Sequence, residues 1–525
     1  MSTVDMEKKT EIKNPVTGER LDYSKVHSEE ELKVMVENAK VAQEEWSRLK
    51  IKERVKYLRP IRDYLVSNSD KLADVISKDN GKTHIDALLT EIITSAMAIS
   101  YYSKKAHGFL KSKKLGMGNI LFLNKRSKCV WVPYGVVGII TPWNYPFTIP
   151  FSEVIMALLA GNSVILKVAS ETQGVGLALK ECIESAKLPE NVFNYLNMPG
   201  RIAGDALLAN GINKLFLTGS VPVGKKMMAK ASETLTPVNL ELGGNDAMIV
   251  CADADPYRAA VGVTWAGFSN AGQSCGGVER IYVHKDIYDS FMSILKVKTE
   301  SLKVGYDIDY SMDIGAITTE KQRNTIKHHI DEALSKGAKI FARSKVINDN
   351  KSNSFLPAVV LTNLNHDMTV MREETFGPVV GVMKVDNIDE AIKLANDSCL
   401  GLTGSVWSKN RKNAERIGKQ IKAGAITIND HLMSHGLAET AWGGFKESGI
   451  GRSHGIFGFS EMIQPQMIVH DILPGVKKNL WWHPYNKKLY NSLGGIMDML
   501  YGKGLLKKLA GTLRLLKVLP RIFIK

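Results

Sequence analysis

The sequence predicts an α/β protein: a doubly wound parallel sheet, a second α/β block after it, and a small β element beside them. Three observations carry this. From about residue 135, short β-branched runs alternate with helical stretches, the pattern of parallel strands joined by crossover helices. At 525 residues the chain is too long for one core, so roughly two to four domains are expected. A composition of 44% hydrophobic and 23% charged residues is that of a globular protein, neither disordered nor polytopic.

The elements follow in order. The first hundred residues read as mostly helical, with helices over Glu29 to Leu49 and Ile51 to Ser67. Met117 to Val132 reads as extended. Val136 to Thr141 is a buried strand, a helix runs from Pro150 toward Leu159, and Ser163 to Lys167 is the next strand. A helix over 171–186 and strands at Val192 to Leu196 and Lys214 to Leu217 continue the pattern of a dinucleotide-type sheet. The second block starts at Ala247 to Val250, takes in Arg280 to Val283 and runs toward residue 445, and 460–472 is again extended. The expected division is therefore 1–114 with 134–244 as a dinucleotide-binding domain and 245–445 as a catalytic domain. Segments 115–133 and 455–474 are expected as strands that pair between subunits, and 475–525 as a basic tail.

Five scattered cysteines, at 129, 182, 251, 275 and 399, argue against a disulfide framework or a metal site and for a reducing compartment. The stretch from Met1 to Lys13 is polar, with no apolar signal, so a cytoplasmic location is expected. The longest uncharged run, Cys129 to Ser152, contains Pro133, Pro142, Pro146 and Pro150, which fit strand, turn and helix start better than a membrane span.

One thiol stands out. Cys275 lies in Asn270-Ala271-Gly272-Gln273-Ser274-Cys275-Gly276-Gly277, where small neighbours let a substrate approach and leave backbone N–H groups free for developing negative charge. Glu241 ends a strand before Gly243-Gly244, as a positioned base would. Asn144, in Thr141-Pro142-Trp143-Asn144-Tyr145-Pro146 at the end of the first sheet strand, can offer neutral amide donors to an oxyanion. Taken alone, each has a plainer reading: an inert buried thiol, an exposed turn carboxylate, a turn former before proline. Lys167 ends the second strand, where it can reach ribose hydroxyls or a phosphate. Phe216-Leu217-Thr218-Gly219-Ser220 followed by Val221-Pro222-Val223-Gly224 is a strand, a glycine turn and a helix start, which suits a pyrophosphate.

In these motifs the sequence resembles the aldehyde dehydrogenase superfamily, non-acylating branch. TPWNYP, FLTGS, ELGGN, GQSC, EETFGPV (Glu373 to Val379) and WGGFKESGIG (Trp442 to Gly451) match in order, over about Lys13 to Asp471. The resemblance implies Cys275 as nucleophile, Glu241 as general base, and Asn144 with the Cys275 N–H as oxyanion hole. Thr141, Pro142, Trp143, Lys167, Ser170, Gly219, Ser220, Gly224, Glu374 and Phe376 are expected around NAD or NADP. A Cys275 thiolate would add to the aldehyde, hydride would leave, and Glu241 would activate water against the thioester. A homodimer or homotetramer is expected.

Two departures bear on specificity. Ser170 stands where many NAD-preferring members carry an acid, with Glu171 one position later; a hydroxyl does not repel a 2′-phosphate, so use of both cofactors is expected. Gly276 is expected to widen the tunnel beside the sulfur for an extended apolar aldehyde, with a graded chain-length preference because a methylene is worth about 1–3 kcal/mol. Betaine aldehyde and succinic semialdehyde are less favoured, since no aromatic cage or paired arginine is evident.

The net charge of +15 is concentrated after Gly475, where nine lysines and two arginines face only Asp498. Lys503, Lys507, Arg514, Lys517 and Arg521 form one helical stripe, Lys508 departs from it, and Leu505, Leu506, Leu509, Leu513, Leu516 and Leu519 lie mostly on other faces. With Trp481 and Trp482, this is the profile of an interfacial helix on an anionic membrane; a helix packed on the body is the alternative. Nucleic-acid binding is not expected. The competing class is a non-catalytic lipid-surface or scaffold protein on an enzyme fold.

Overall fold

The computed structural model describes residues 8–347 and 352–523. The first residues of the polar N-terminal stretch, up to Glu7, and Lys525 of the tail lie outside it. Residues up to Leu110 and Val132–Gln464 form one compact unit; Lys111–Trp131 and the chain from Pro465 onward form another.

In the first unit, helix Glu29–Arg48 starts at a reciprocal cap. Ser28 Oγ accepts from the Glu31 N–H at 3.1 Å, and the Glu31 carboxylate accepts from the Ser28 N–H at 2.8 Å, which satisfies two donors that helix geometry leaves unpaired. Its apolar residues Leu32, Val36 and Ala39 join a core with Val136, Ile165, Leu215 and Leu217. The sheet they cover has six strands in the order Gly449–Ile450, Val238–Glu241, Lys214–Thr218, Val136–Ile140, Ser163–Lys167, Phe193–Tyr195. All pairs are parallel except the antiparallel edge formed by Gly449–Ile450. A second sheet of seven strands runs Lys339–Arg343, Val359–Thr362, Val379–Val385, Val278–His284, Asp246–Val250, Thr403–Trp407, Ala425–Ile428. The carboxyl ends of the first sheet's strands carry Asn144, Thr218 and Glu241, as open α/β sheets place ligand-binding groups.

Several elements differ from expectation. Helix Thr148–Ala160 starts two residues before Pro150; proline is tolerated in a first turn, where its missing N–H costs nothing. An antiparallel pair, Lys9–Lys13 with Arg20–Lys25, opens the described chain and went unpredicted because its residues are mostly charged. Gly455–Glu461, within a segment expected as strand, is a short helix, and the strand follows it at Ile463–Asp471.

The second unit contains a three-stranded sheet in the order Ile463–Asp471, Lys125–Pro133, Lys113–Leu115. Asp471 accepts from Lys125 at 2.6 Å and from Asn124 at 2.9 Å, and the Lys125 hydrogen bond draws its carboxyl down to about 2. The tail is two helices, Lys487–Tyr501 and Leu505–Leu516, and not one running from Lys503. Gly504 takes φ +87° and breaks the path, so Lys503 falls in the turn, off the expected stripe. The helices cross where Gly495 and Gly511 leave no room for a Cβ, and Leu489 of the first helix forms a small buried cluster with Leu480 and Val518 from the flanking chain. Leu505, Leu506, Leu509, Leu513 and Leu516 stay exposed, Leu506 at 84%. Among the described residues no helix is long and apolar enough to cross a membrane.

Candidate active site

Cys275 follows a tight turn, Ser269–Gly272, and precedes the central strand Val278–His284. Asn270, Ala271 and Gly272 take φ of 51°, 55° and 69°, a left-handed run that costs about 1–3 kcal/mol per non-glycine residue and needs outside support. Asp86 provides it, accepting from the Asn270 N–H at 3.0 Å and the Ser269 hydroxyl at 2.9 Å. Gln273 locks the other side, donating to the Asn270 and Ala316 carbonyls at 3.0 and 3.2 Å and accepting from the Thr318 N–H at 2.9 Å. Only glycine fits at 272, where a Cβ would strike the Gly377 carbonyl. Burial, with the neighbouring carboxyls of Glu374, Asp246 and Glu241, pushes the Cys275 thiol up.

Asn144 is buried and donates to the Gln273 carbonyl at 3.1 Å, which leaves its second amide hydrogen. Its own carbonyl accepts from Lys82 Nζ and Asn270 Nδ2, both at 2.9 Å. Lys82 pairs with Glu91 at 2.6 Å with both side chains fully buried, and the other Glu91 oxygen accepts from the Phe147 and Thr148 N–H groups at 2.7 and 3.2 Å. This buried pair fixes the Asn144 loop against the start of the following helix. Nothing in the sequence motif points to it.

Three cavities meet at Cys275. A small chamber of about 280 Å³ is lined by Glu241, Glu153, Thr218, His435, His454 and Cys275, among others. Neither Glu241 oxygen has a hydrogen-bond partner, and Gly443, at φ +144°, keeps the space beside it clear. Burial raises the Glu241 carboxyl well above its ordinary range, the neighbouring Glu153 adds to this, and Arg452 opposes it. Burial also draws His435 down to about 4, and burial with the neighbouring His435 holds His454 well below the usual imidazole range, so both rings are neutral at pH 7.

The second cavity is a cleft of about 1090 Å³ lined by Pro142, Trp143, Asn144, Glu171, Gly219, Ser220, Glu374 and Phe376, together with Thr319, Lys321 and Gln322. No atom lies within 4 Å of where a Gly219 Cβ would stand. No side chain caps helix Val221–Ala231 at Ser220, so its first N–H groups remain for an anion. Trp143 and Phe376 meet edge-on at 5.6 Å. Glu279, unremarkable in the sequence, holds the Glu374–Phe376 loop by accepting from the Thr375 and Phe376 N–H groups at 3.0 and 2.8 Å. These features fit a dinucleotide. Of the expected cofactor residues, Thr141, Lys167, Ser170 and Gly224 do not line the cleft. Lys167 and Thr141 are buried, Gly224 gives room for Leu242, and Glu171, next to Ser170, is among the cleft's lining residues.

The third cavity, of about 800 Å³, is a chamber walled by Leu89, Ile93, Met97, Trp265, Met433 and Trp442 among others, with Cys275 on its wall. Gly276 does not leave the open room expected of it. A Cβ there would come 2.5 Å from the Trp442 ring, so the missing side chain admits an indole that forms the wall beside the sulfur.

A cleft that fits a dinucleotide and an apolar chamber meet at one thiol, the layout that a nicotinamide-linked oxidation of a carbonyl compound requires. The comparisons agree: a model of the aldehyde dehydrogenase family matches residues 3–468, and the chain belongs to that family. It is 35% identical over 492 residues to a 4,4'-diapolycopene aldehyde oxidase of Methylomonas sp, covering 93% of this chain and 91% of that one. A succinate-semialdehyde dehydrogenase from Burkholderia pseudomallei superposes with a TM-score of 0.84 at 30% identity, covering 89% of this chain and 95% of the other. The NAD+ complex of an aldehyde dehydrogenase from Bacillus cereus gives 0.84 at 29% identity, covering 89% and 94%. The protein is thus an enzyme that oxidises an aldehyde with NAD or NADP.

Proposed function

We propose that the enzyme oxidises medium- to long-chain aliphatic aldehydes to carboxylic acids on Cys275, close to an anionic membrane surface. The observation that carries the substrate class is the chamber at the sulfur, whose lining includes no lysine or arginine. A carboxylate-bearing substrate such as succinic semialdehyde would leave its charge unpaired there. The chamber shares Ile93 and Met97 with a neighbouring, mostly apolar groove that adds Val66, Ala96 and Tyr101, along with Arg62 and Glu439, which extends the space open to a chain.

Cys275 Sγ attacks the carbonyl carbon as its proton passes to Glu241, and the oxyanion accepts from the free Asn144 amide hydrogen and the Cys275 N–H. A bound nicotinamide dinucleotide supplies the hydride acceptor. The acyl group remains on Cys275 as a thioester, and Glu241, ionised again, takes a proton from the attacking water.

A chain-length panel run with both cofactors tests this reading. Each methylene that enters the chamber is expected to add about 0.8 kcal/mol, so kcat/KM rises by about fourfold per carbon until the space is filled. Decanal should exceed butanal by about two orders of magnitude or more, and a flat profile would contradict the assignment. Glu171 in the cleft supports a preference for NAD, since a carboxylate there repels a 2′-phosphate. Glu171→Gln is expected to raise NADP use relative to NAD, and an unchanged ratio would count against that role.

The exposed leucines of Leu505–Leu516, flanked by Lys508 and Lys517, support contact with anionic lipid. Full-length protein is expected to sediment with phosphatidylserine vesicles and to be released by high salt, whereas a truncation at Pro474 stays in solution. Equal pelleting of both would refute it. The outer strand Ile463–Asp471, with Met467 and Val469 exposed, supports pairing with a second copy. Sedimentation velocity should give a dimer or tetramer, and a monomer would contradict the pairing.

A further inference from the structure

Glu153 is a carboxylate in helix Thr148–Ala160, every residue of which is buried. Such a group is costly unless it is paired or neutral, and among the described residues no ion pair involves it. Its Oε1 receives one long hydrogen bond, from Thr218 Oγ1 at 3.5 Å, and its Oε2 receives none. Burial raises the Glu153 carboxyl to about 8. With Glu241 and Cys275 it lines the same small chamber. Thr218 lines that chamber and also the dinucleotide cleft.

The proposed chemistry gives this placement a task. On the reading above, Glu241 acts twice. In the first half-reaction the S–H bond of Cys275 and the aldehyde C–H bond break, and the S–C bond forms. The hydride goes to the oxidised dinucleotide and the thiol proton to Glu241. Aldehyde, thiol and oxidised dinucleotide thereby become thioester, reduced dinucleotide and one proton. Glu241 must lose that proton before it can serve as base in the second half-reaction. There, thioester and water give acid and thiol, and the water proton returns through Glu241 to Sγ. The neutral rings of His435 and His454 are poor acceptors at pH 7, and the chamber is otherwise walled by apolar groups and Ser453.

We propose that Glu153 is a positioning residue that unloads Glu241 between the two half-reactions, passing the thiol proton to the Thr218 hydroxyl and so to the dinucleotide cleft. No direct hydrogen bond joins the two carboxylates, so the proton crosses the small chamber that both line, and a second carboxylate there gives it an acceptor other than Glu241. The inference rests on the assignment of Cys275 and Glu241.

The test is a rapid-mixing experiment with decanal and NAD in weak buffer, following NADH absorbance and a pH indicator in the same trace. Wild-type enzyme is expected to release one proton per site together with the NADH burst. In Glu153→Gln the proton should lag the burst by about tenfold or more, and Glu153→Asp should restore coincidence. Thr218→Val is expected to lag as well. A merely structural role would slow both signals together and leave their ratio fixed. Proton release coincident with NADH in Glu153→Gln would overturn the proposal. So would a wild-type enzyme that keeps its proton until the acyl group hydrolyses, a result that needs no variant to fold. Failure of the parent reading looks different: Glu241→Gln would then hydrolyse its acyl enzyme at the wild-type rate.

Discussion

Cys275→Ala is expected to lower aldehyde oxidation by about 10⁴-fold or more, the largest effect of any single substitution in this chain. No other thiol can replace it. Cys129, Cys182 and Cys251 are buried and Cys399 is exposed, and none of them lines a cavity that Cys275 borders. The loop that carries Cys275 is held by Asp86 and Gln273 through backbone and side-chain hydrogen bonds that do not involve the sulfur, so alanine should leave its geometry intact. Steady-state NADH production from decanal reads the effect. Activity within about tenfold of wild type would exclude Cys275 as the nucleophile.

Glu241→Gln is expected to be the second largest, with turnover reduced by about 10²- to 10⁴-fold. Glutamine keeps the shape and burial of the side chain but cannot accept a proton. Thiol addition slows, because the Cys275 proton must then leave by solvent, yet about one NADH per site still forms. Hydrolysis lacks its base, so the acyl enzyme persists. The pH dependence has a defined sign. A base must be ionised to act, and burial places the Glu241 carboxyl above its ordinary range, so wild-type hydrolysis rises with pH through that raised value and falls away below it. The variant loses this limb. A Glu241→Gln enzyme with the wild-type limb and full turnover would remove the assignment.

How much of this was legible in the sequence depended on whether the cause was local. The strands at Val136–Ile140, Ser163–Lys167 and Lys214–Thr218 lie where their β-branched and apolar runs place them, because both faces of a parallel strand are buried and the residues say so directly. Cys275, Glu241 and Asn144, separated by up to 131 positions, border common cavities because each ends or starts a strand whose motif is continuous in the chain. The supports were not legible. Lys82 with Glu91, Asp86 with Asn270, and Glu279 with Phe376 act across the fold, and none carries a motif of its own. Gly276 was legible as a missing side chain, but only the fold places Trp442 against it. Ser170 and Glu171 differ by one position in a short helical turn, where the choice of side chain facing the cleft is a matter of rotation about the backbone. In the tail, leucine and lysine periodicity indicated a helix, while Gly502 and Gly504 set where it begins.

Mass mapping of the acyl group tests the central claim most directly. Glu241→Gln enzyme mixed with decanal and NAD, quenched in acid and digested, is expected to carry one decanoyl group per chain on the peptide that contains Cys275. NADH should form in the same amount. Stoichiometric NADH with no acyl group on that peptide, or with the group on another residue, would contradict the account.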